Sequence, residues 1–438
     1  MSRIDAPGLA PLATPGASST AKQLVPTRSW RLLALLLCAS ICCWMYRFLP
    51  IILTEPIKRD LSLSDTHMGL ITGFAFSLVY SIVALPTARL VDQHSRRFIF
   101  PAIVGAFSLA TMLTGAAGGF ATLALARLTV AATESGLNPT ALSLISDSFS
   151  TRLRGRAISI YTLGAGFGMW AGLAIGGTLN DLYGWRIAFA LAGVPGVALA
   201  LVALVWLKEP ERGSFDNHHA DGHTFSLAQA LAFMRASWTY IACVIAIGLL
   251  TFSAGAFEGW APTYLVRNRG LSSGEAGMIS GAMSGLGNIT AVLASGFLAD
   301  HFGRNDSRWY LLLPLVGMAI FMAAEHAFLR SEGLSCYLFY FLTSFGGGTY
   351  IAPLLALCQM LLPPRIRALG SAIMLVSLNL VGMGGGIFMA GFLSDRYHSQ
   401  GIADPLGSAL MTSQIGAVAG CLALCVAVIW VRRDVVAN

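Results

Sequence analysis

The sequence is poor in charge. Only 11% of its 438 residues are Asp, Glu, Lys or Arg, against about a quarter in a soluble domain, so a water-soluble globular protein is excluded. Long polar segments are also scarce. The longest, 208–235, holds Lys-Glu-Pro-Glu-Arg-Gly and Asp-Asn-His-His-Ala-Asp-Gly-His and is too short for an output domain. Metal-ligand spacing is missing. The eight cysteines (Cys38, Cys42, Cys43, Cys243, Cys336, Cys358, Cys421 and Cys425) lie in apolar runs away from histidines and read as small packing residues. His218, His219 and His223 have no standard zinc spacing. The glycine triplets at 346–348 and 384–386 lack the Lys-Ser/Thr of a phosphate loop, and neither a His-Glu-x-x-His pattern nor a nucleophile elbow occurs. No cofactor and no metal are implied.

What fills the chain is apolar: 55% hydrophobic residues, mean hydropathy +0.69 and 47 glycines. Roughly 20 apolar residues span a bilayer as a helix. Hydrophobic runs fall at about 32–53, 66–87, 98–116, 120–144, 157–179 and 187–207, then at 238–262, 274–298, 310–329, 335–361, 368–393 and 408–431. They predict twelve spans. The chain then divides into a disordered cytoplasmic tail (1–30), a six-helix bundle (31–207), a cytoplasmic linker (208–235), a second six-helix bundle (236–431) and a short tail (432–438). The run from Leu32 has no clear small-residue cleavage site and reads as an uncleaved first span rather than a signal peptide. With the N-terminus inside, the inner loops and tails carry 19 Lys and Arg and the outer loops 7. This excess places both termini in the cytoplasm of a multi-pass plasma (inner) membrane protein, and it explains the +7 net charge without a nucleic-acid partner.

A short signature recurs at four span ends: Ala-Arg-Leu-Val-Asp at 88–92, Gly-Thr-Leu-Asn-Asp at 177–181, Gly-Phe-Leu-Ala-Asp at 296–300 and Gly-Phe-Leu-Ser-Asp at 391–395. The first and third copies, and the second and fourth, are separated by nearly the same interval, as are Arg156 and Arg367. One half therefore repeats the other. Within each half the signature returns three spans later, on the opposite side of the membrane. That predicts inverted three-helix repeats, the build of transporters whose substrate site lies at the midplane between rocking halves.

The loops that follow spans 2 and 8, with Asp92, Arg96, Asp300 and Arg304, resemble the signature loops of the major facilitator superfamily, with Ala88, Gln93 and Ser95 replacing the usual Gly, Arg and Gly in the first copy. Further segments resemble its spinster-like branch: Leu63-Ser-Asp-Thr-His-Met-Gly69, Glu134-Ser-Gly136, Arg154-Gly-Arg-Ala-Ile-Ser-Ile-Tyr161, Gly184-Trp-Arg186, Trp260-Ala-Pro-Thr-Tyr264 and Asn379-Leu-Val-Gly-Met-Gly384. The resemblance implies an all-α integral membrane fold. It also implies alternating access and transport of organic anions or amphiphiles such as lysolipids, often coupled to protons. Span 1 of that branch usually carries an Asp-Arg pair. Here Tyr46 stands in the acid's place beside Arg47, and a phenol with a reference pKa of ~10 exchanges protons poorly near neutrality.

These readings select the site residues. Arg47 within span 1, and Arg127 with Glu134 on one face of span 4, are costly in hydrocarbon unless they face a cavity or a partner. They are expected to bind an anionic group (Arg47, Arg127) and to carry a proton (Glu134). Glu258, placed toward the outer end of span 7, is a second proton candidate. Tyr46, Tyr80, Tyr161, Trp260, Gln359 and Asn379 are candidate substrate contacts, with Trp44, Phe48 and Tyr350 as further aromatics. Glu325 and His326 are expected at the interface. Asp92, Arg96, Asp147, Arg156, Asp300 and Arg367 are expected to latch the cytoplasmic side, since a carboxylate can cap a neighbouring helix N-terminus. The expected activity is non-enzymatic, proton-coupled symport of a small organic anion by a monomer. Lysolipid or sphingoid transport without protons is the alternative, and a membrane-embedded lipid enzyme or a solute sensor are the rivals of another class.

Overall fold

A computed structural model describes residues 27–210, 227–363 and 366–436, and within them every regular element is helical. Most of the expected disordered tail (1–30) and the middle of the expected linker (208–235) lie outside the described residues. The elements are α1 (Thr27–Ile52), α2 (Thr54–Leu61), α3 (Asp65–Gln93), α4 (Arg96–Thr114), α5 (Phe120–Glu134), α6 (Leu137–Ser148), α7 (Thr151–Tyr183) and α8 (Trp185–Trp206). After the central stretch come α9 (Leu227–Ala236), α10 (Trp238–Arg269), α11 (Ser273–Gly303), α12 (Trp309–Arg330), α13 (Leu334–Leu361), α14 (Arg367–Ser399) and α15 (Pro405–Val436). Eleven of the described helices are long and apolar enough to cross a membrane. The expected fourth span is the end-to-end pair α5–α6, broken at Ser135–Gly136. Against the expected boundaries, the first helix starts at Thr27, a short helix occupies the end of the linker, and the last helix continues to Val436.

These helices form because their sequences leave the backbone no partner but itself in hydrocarbon. Their ends are marked by polar caps. Ser64 opens α3 by accepting the His67 N–H, Ser272 opens α11 in a reciprocal box with Glu275, and Gly270, at φ 67°, closes α10 in the left-handed region. Large apolar side chains such as Leu85, Leu113, Leu201, Val205 and Ile429 are exposed on the outside of the bundle, as lipid-facing positions require.

Helices of the first half meet helices of the second along two seams, α7 against α11 and α3 against α14. Both are built on glycine. A Cβ at Gly177 would lie 2.1 Å from the Ser273 carbonyl oxygen, one at Gly277 2.1 Å from that of Leu173, and one at Gly73 2.9 Å from that of Gly384. Small residues let the backbones approach this closely. At the α3–α14 crossing both helices widen into π-turns, over Leu70–Phe74 and Ser377–Gly384.

Candidate functional site

The first half carries a buried charge cluster. Arg47 of α1 sits among aromatic rings, its guanidinium carbon 5.4 Å from the Trp44 ring centre, 5.2 Å from Phe76 and 5.1 Å from Tyr80. Its Nη1 is 4.0 Å from Oε1 of Glu134, the Arg47 side chain being 14% exposed and that of Glu134 3%. The other atoms, Arg47 Nη2 and Glu134 Oε2, are buried and make no hydrogen bond. A loose, half-satisfied ion pair in a low dielectric is an expensive arrangement. It leaves one donor of Arg47 open to a ligand.

Arg127 is not equivalent. It is 1% exposed, stands 5.0 Å from the same Phe76 ring centre and donates through Nη1 to the Tyr46 carbonyl at 3.1 Å. Arg127 thus braces α5 to α1 through Nη1 while its Nε is buried without a bond, and Glu134 pairs with Arg47. Tyr46 is fully buried, points its hydroxyl toward the Gly193 carbonyl (3.5 Å) and packs edge-on to Phe107. Standing one residue from Arg47, it is turned about 100° around the helix and misses the cluster.

The other candidates scatter. Tyr80 belongs to the Arg47 cluster and reaches Asn138 at 3.5 Å, and Tyr161 donates to the same Asn138 at 2.6 Å while itself buried. Trp260 is a buried cross-helix tie, its indole N–H donating to the Ile387 carbonyl at 2.8 Å. Tyr350 donates to Thr251 at 2.9 Å. Phe48 is buried and stacks on Trp44. Gln359 donates to Ser371 at 2.6 Å and Asn379 to its own helix at Leu375, 2.9 Å. Among the described residues, none of these five side chains is hydrogen-bonded to Arg47 or Glu134.

Glu258 is not at an outer rim. It receives the Asn288 amide at 3.1 Å near the middle of α11, close to Ser284 and Ser344, whose hydroxyls donate to Tyr340 and to Ser284 respectively, each at 3.4 Å. Among the described residues it forms no ion pair. Glu325 is likewise not interfacial. It is fully buried between α12 and α15, one oxygen receiving Gln414 Nε2 at 2.8 Å and the other making no hydrogen bond.

Of the expected cytoplasmic latch, Arg96 and Arg367 make bonds within their own halves rather than between them. Arg96 is buried within the first half, donating to Asp147 (2.5 Å), Ser143 (2.7 Å) and Glu209 (3.3 Å). Arg156 and Asp300 are exposed, and Arg367 donates to the nearby Leu362 carbonyl at 2.9 Å. Gly296 of the third signature copy has nothing within 4 Å of its would-be Cβ. Gly296 thus has open space where Gly177, at the same place in the second copy, is pressed against the other half.

The seal is on the opposite face, and the second and fourth signature copies make it. Asp395 accepts the N–H groups of Asp65 (3.1 Å) and Thr66 (2.7 Å) and the Thr66 hydroxyl (2.6 Å), capping the start of α3. Asp181 accepts the Gly274 N–H at 2.7 Å, capping the start of α11. Each aspartate thus crosses to the other half. Between them Arg267 holds both Asp65 oxygens (2.7 and 2.8 Å) and Glu55 (2.9 Å through Nε), Lys58 joins Asp65, and Ser394 donates to Asp65 at 2.6 Å. The sequence reading missed this cluster, although Asp181 and Asp395 close the same repeated pattern that singled out Asp92 and Asp300.

A family model of the major facilitator superfamily matches residues 35–386. The chain belongs to that superfamily. An "MFS-type efflux pump" of Mycolicibacterium smegmatis is 32% identical over 391 residues, covering 88% of this chain and 89% of that protein. "Protein spinster homolog 1" of Xenopus tropicalis is 27% identical over 384 residues, covering 81% and 70%. A solved bacterial homologue of the human lysosomal transporter spinster, in an inward-facing and unoccupied conformation, superposes with TM-score 0.81 at 24% identity, covering 94% of this chain and 97% of that one. The nucleoside transporter NupG superposes at 0.70 and 14% identity, covering 91% and 99%. The protein is accordingly an all-α, multi-pass membrane transporter of the major facilitator superfamily. It resembles the spinster-like branch, and it is a secondary transporter of small organic solutes, not an enzyme.

Proposed function

We propose that the protein moves an amphiphile with an anionic headgroup, of the lysolipid or sphingoid kind, across the plasma (inner) membrane by alternating access. The reading rests on one observation above the others: a half-buried guanidinium, Arg47, with a buried and unpartnered Nη2 inside a ring of Trp44, Phe76 and Tyr80. A phosphate or carboxylate would take the open donor, and the rings would border the apolar part of the solute. The spinster relatives, named above, support an amphiphile over the small organic anion first expected. Proton-coupled symport of a small anion is the second reading, favoured by Glu134 standing beside Arg47. Protonation of Glu134 would free the arginine for an anion, and substrate release would return the pair.

The working scheme is twelve spans in two six-helix bundles, 31–207 and 236–431, with both termini cytoplasmic and a monomer as the unit. The asymmetric seams support an inward-open state, tight at the face of Asp395 and Asp181 and with open space at Gly296. In the opposite state Asp92 and Asp300, by the inverted repeat, would cap the cytoplasmic starts of α14 and α7. Counterflow of labelled lysolipid in proteoliposomes tests the reading. Lysolipid exchange that Arg47→Ala abolishes supports it. Exchange of small carboxylates alone, driven by a pH step, favours the second reading, and binding without flux defeats both.

A further inference from the structure

We infer that the second half contains a sodium site, built by Glu258 of α10, Ser280 and Ser284 of α11, and Tyr340 and Ser344 of α13. The inference rests on the transporter reading only for the use made of the ion, as its coupling cation.

Three observations carry it. The first is charge. Glu258 is partly buried and faces only neutral groups: the Asn288 amide, the Ser284 and Ser344 hydroxyls and, close by, Tyr340. Arg47 neutralises Glu134 in the other half; no Lys, Arg or His does so for Glu258 among the described residues. A carboxylate drawn even partly out of water with no counter-charge is costly. A single negative charge calls for one monovalent cation.

The second is oxygen spacing. Ser284 Oγ lies 3.4 Å from the Tyr340 hydroxyl and 3.4 Å from Ser344 Oγ. Hydroxyl hydrogen bonds favour about 2.7–2.8 Å. Oxygens that share one hard cation at about 2.4 Å each, at right angles, stand about 3.4 Å apart. The third is an orphan. Ser280 Oγ, one turn before Ser284 and beside Tyr340, is fully buried and makes no hydrogen bond. A proton on Glu258 would cancel the charge but leave the orphan and the long contacts as they are. A sodium ion, a hard cation that takes only oxygen ligands, would use all of them.

The position also fits a coupling role. The outer ends of α1 and α10 meet across the two halves at a constant offset of 212 residues, Ile51 with Thr263 and Glu55 with Arg267. The interval from Arg156 to Arg367 instead brings Arg47 onto Glu258, and the two face corresponding helices, Arg47 toward Tyr80 and Glu134, and Glu258 toward Asn288. The repeat thus carries an acid in the second half at the place where the first half has an arginine.

Sodium binding to the purified full-length protein is measured directly with radioactive sodium in a choline buffer near neutral pH, so that no transport is needed. The expected result is saturable binding of one ion per chain. Lithium and protons compete with it and potassium does not. Glu258→Gln lowers the affinity about tenfold or more, as loss of a charged ligand does. Ser344→Ala lowers it less, and Glu332→Gln, on an exposed outer loop, leaves it unchanged. Absence of saturable binding by monodisperse wild-type protein overturns the site. So does a folded Glu258→Gln variant that binds as wild type does. If Glu258→Gln does not fold, Ser344→Ala with Ser280→Ala decides. Sodium binding without any solute flux would leave the site standing and fail the transport reading; flux without sodium binding would do the reverse.

Discussion

The carboxylate of Asp395, at the end of α14, accepts the backbone N–H of Thr66, at the start of α3, at 2.7 Å. It is a helix cap supplied by the other half of the chain. A carboxylate at a helix N-terminus is worth up to ~2 kcal/mol when partly buried, so Asp395→Asn should shift the balance of states several-fold toward opening of this face. Spin labels at Arg59→Cys and Asn268→Cys, both exposed and on opposite halves, read the change. A longer-distance population should appear in Asp395→Asn and grow further with Asp181→Asn. An unchanged distance distribution in the double variant would show that these caps do not hold the face shut.

Gly296 and Gly177 occupy the same place in two copies of one signature yet have opposite surroundings, open space against a carbonyl 2.1 Å away. Gly296→Leu should therefore leave the melting temperature unaltered while lowering transport at least about tenfold, because the closure it blocks belongs to the other state. Gly177→Leu should instead open the sealed face or unfold the chain. Equal loss of stability in both variants would contradict the assignment of which seam is shut.

The Arg47–Glu134 pair predicts strong non-additivity. Arg47→Ala strands a carboxylate that is 3% exposed, and stranding a buried charge costs about 3–5 kcal/mol. Adding Glu134→Gln should recover most of that stability but none of the transport. Denaturation of the single and double variants in detergent gives the coupling energy; a coupling near zero would mean that the 4.0 Å contact carries no weight.

The long apolar runs made the fold legible, and the repeat made the gates half legible. The fourfold signature pointed to helix capping by aspartates, and capping is what Asp395 and Asp181 do. Asp92 and Asp300 close the other two copies of the same pattern, at the face opposite these caps. A sequence does not state which of two conformations a chain holds, so one symmetric motif yields two sets of contacts. Arg127 and Tyr46 misled for a local reason. Seven residues separate Arg127 from Glu134 and put them on one face, but α1 lies against that face and presents a carbonyl to one and a guanidinium to the other. Tyr46 and Arg47 differ by one residue, and one residue turns a side chain about 100°. Arg267, the centre of the outer cluster, had no motif at all; only folding brings it to Glu55 and Asp65.

Glu209 offers a pH test outside the spans. Its carboxylate takes the Ser95 hydroxyl, the Arg96 N–H at 3.1 Å and Arg96 Nε at 3.3 Å, capping the start of α4. Burial pushes its pKa up, but these bonds outweigh it and hold the carboxyl below its ordinary value. A depressed folded-state pKa means stability that is present above the unfolded value, about 4.3, and lost as the pH falls through the lower folded value. Glu209→Gln should therefore melt below wild type at neutral pH, and the gap should narrow as the buffer is taken under about pH 4. A gap that stays constant across that range would mean that the Glu209 charge contributes nothing to holding the linker on α4.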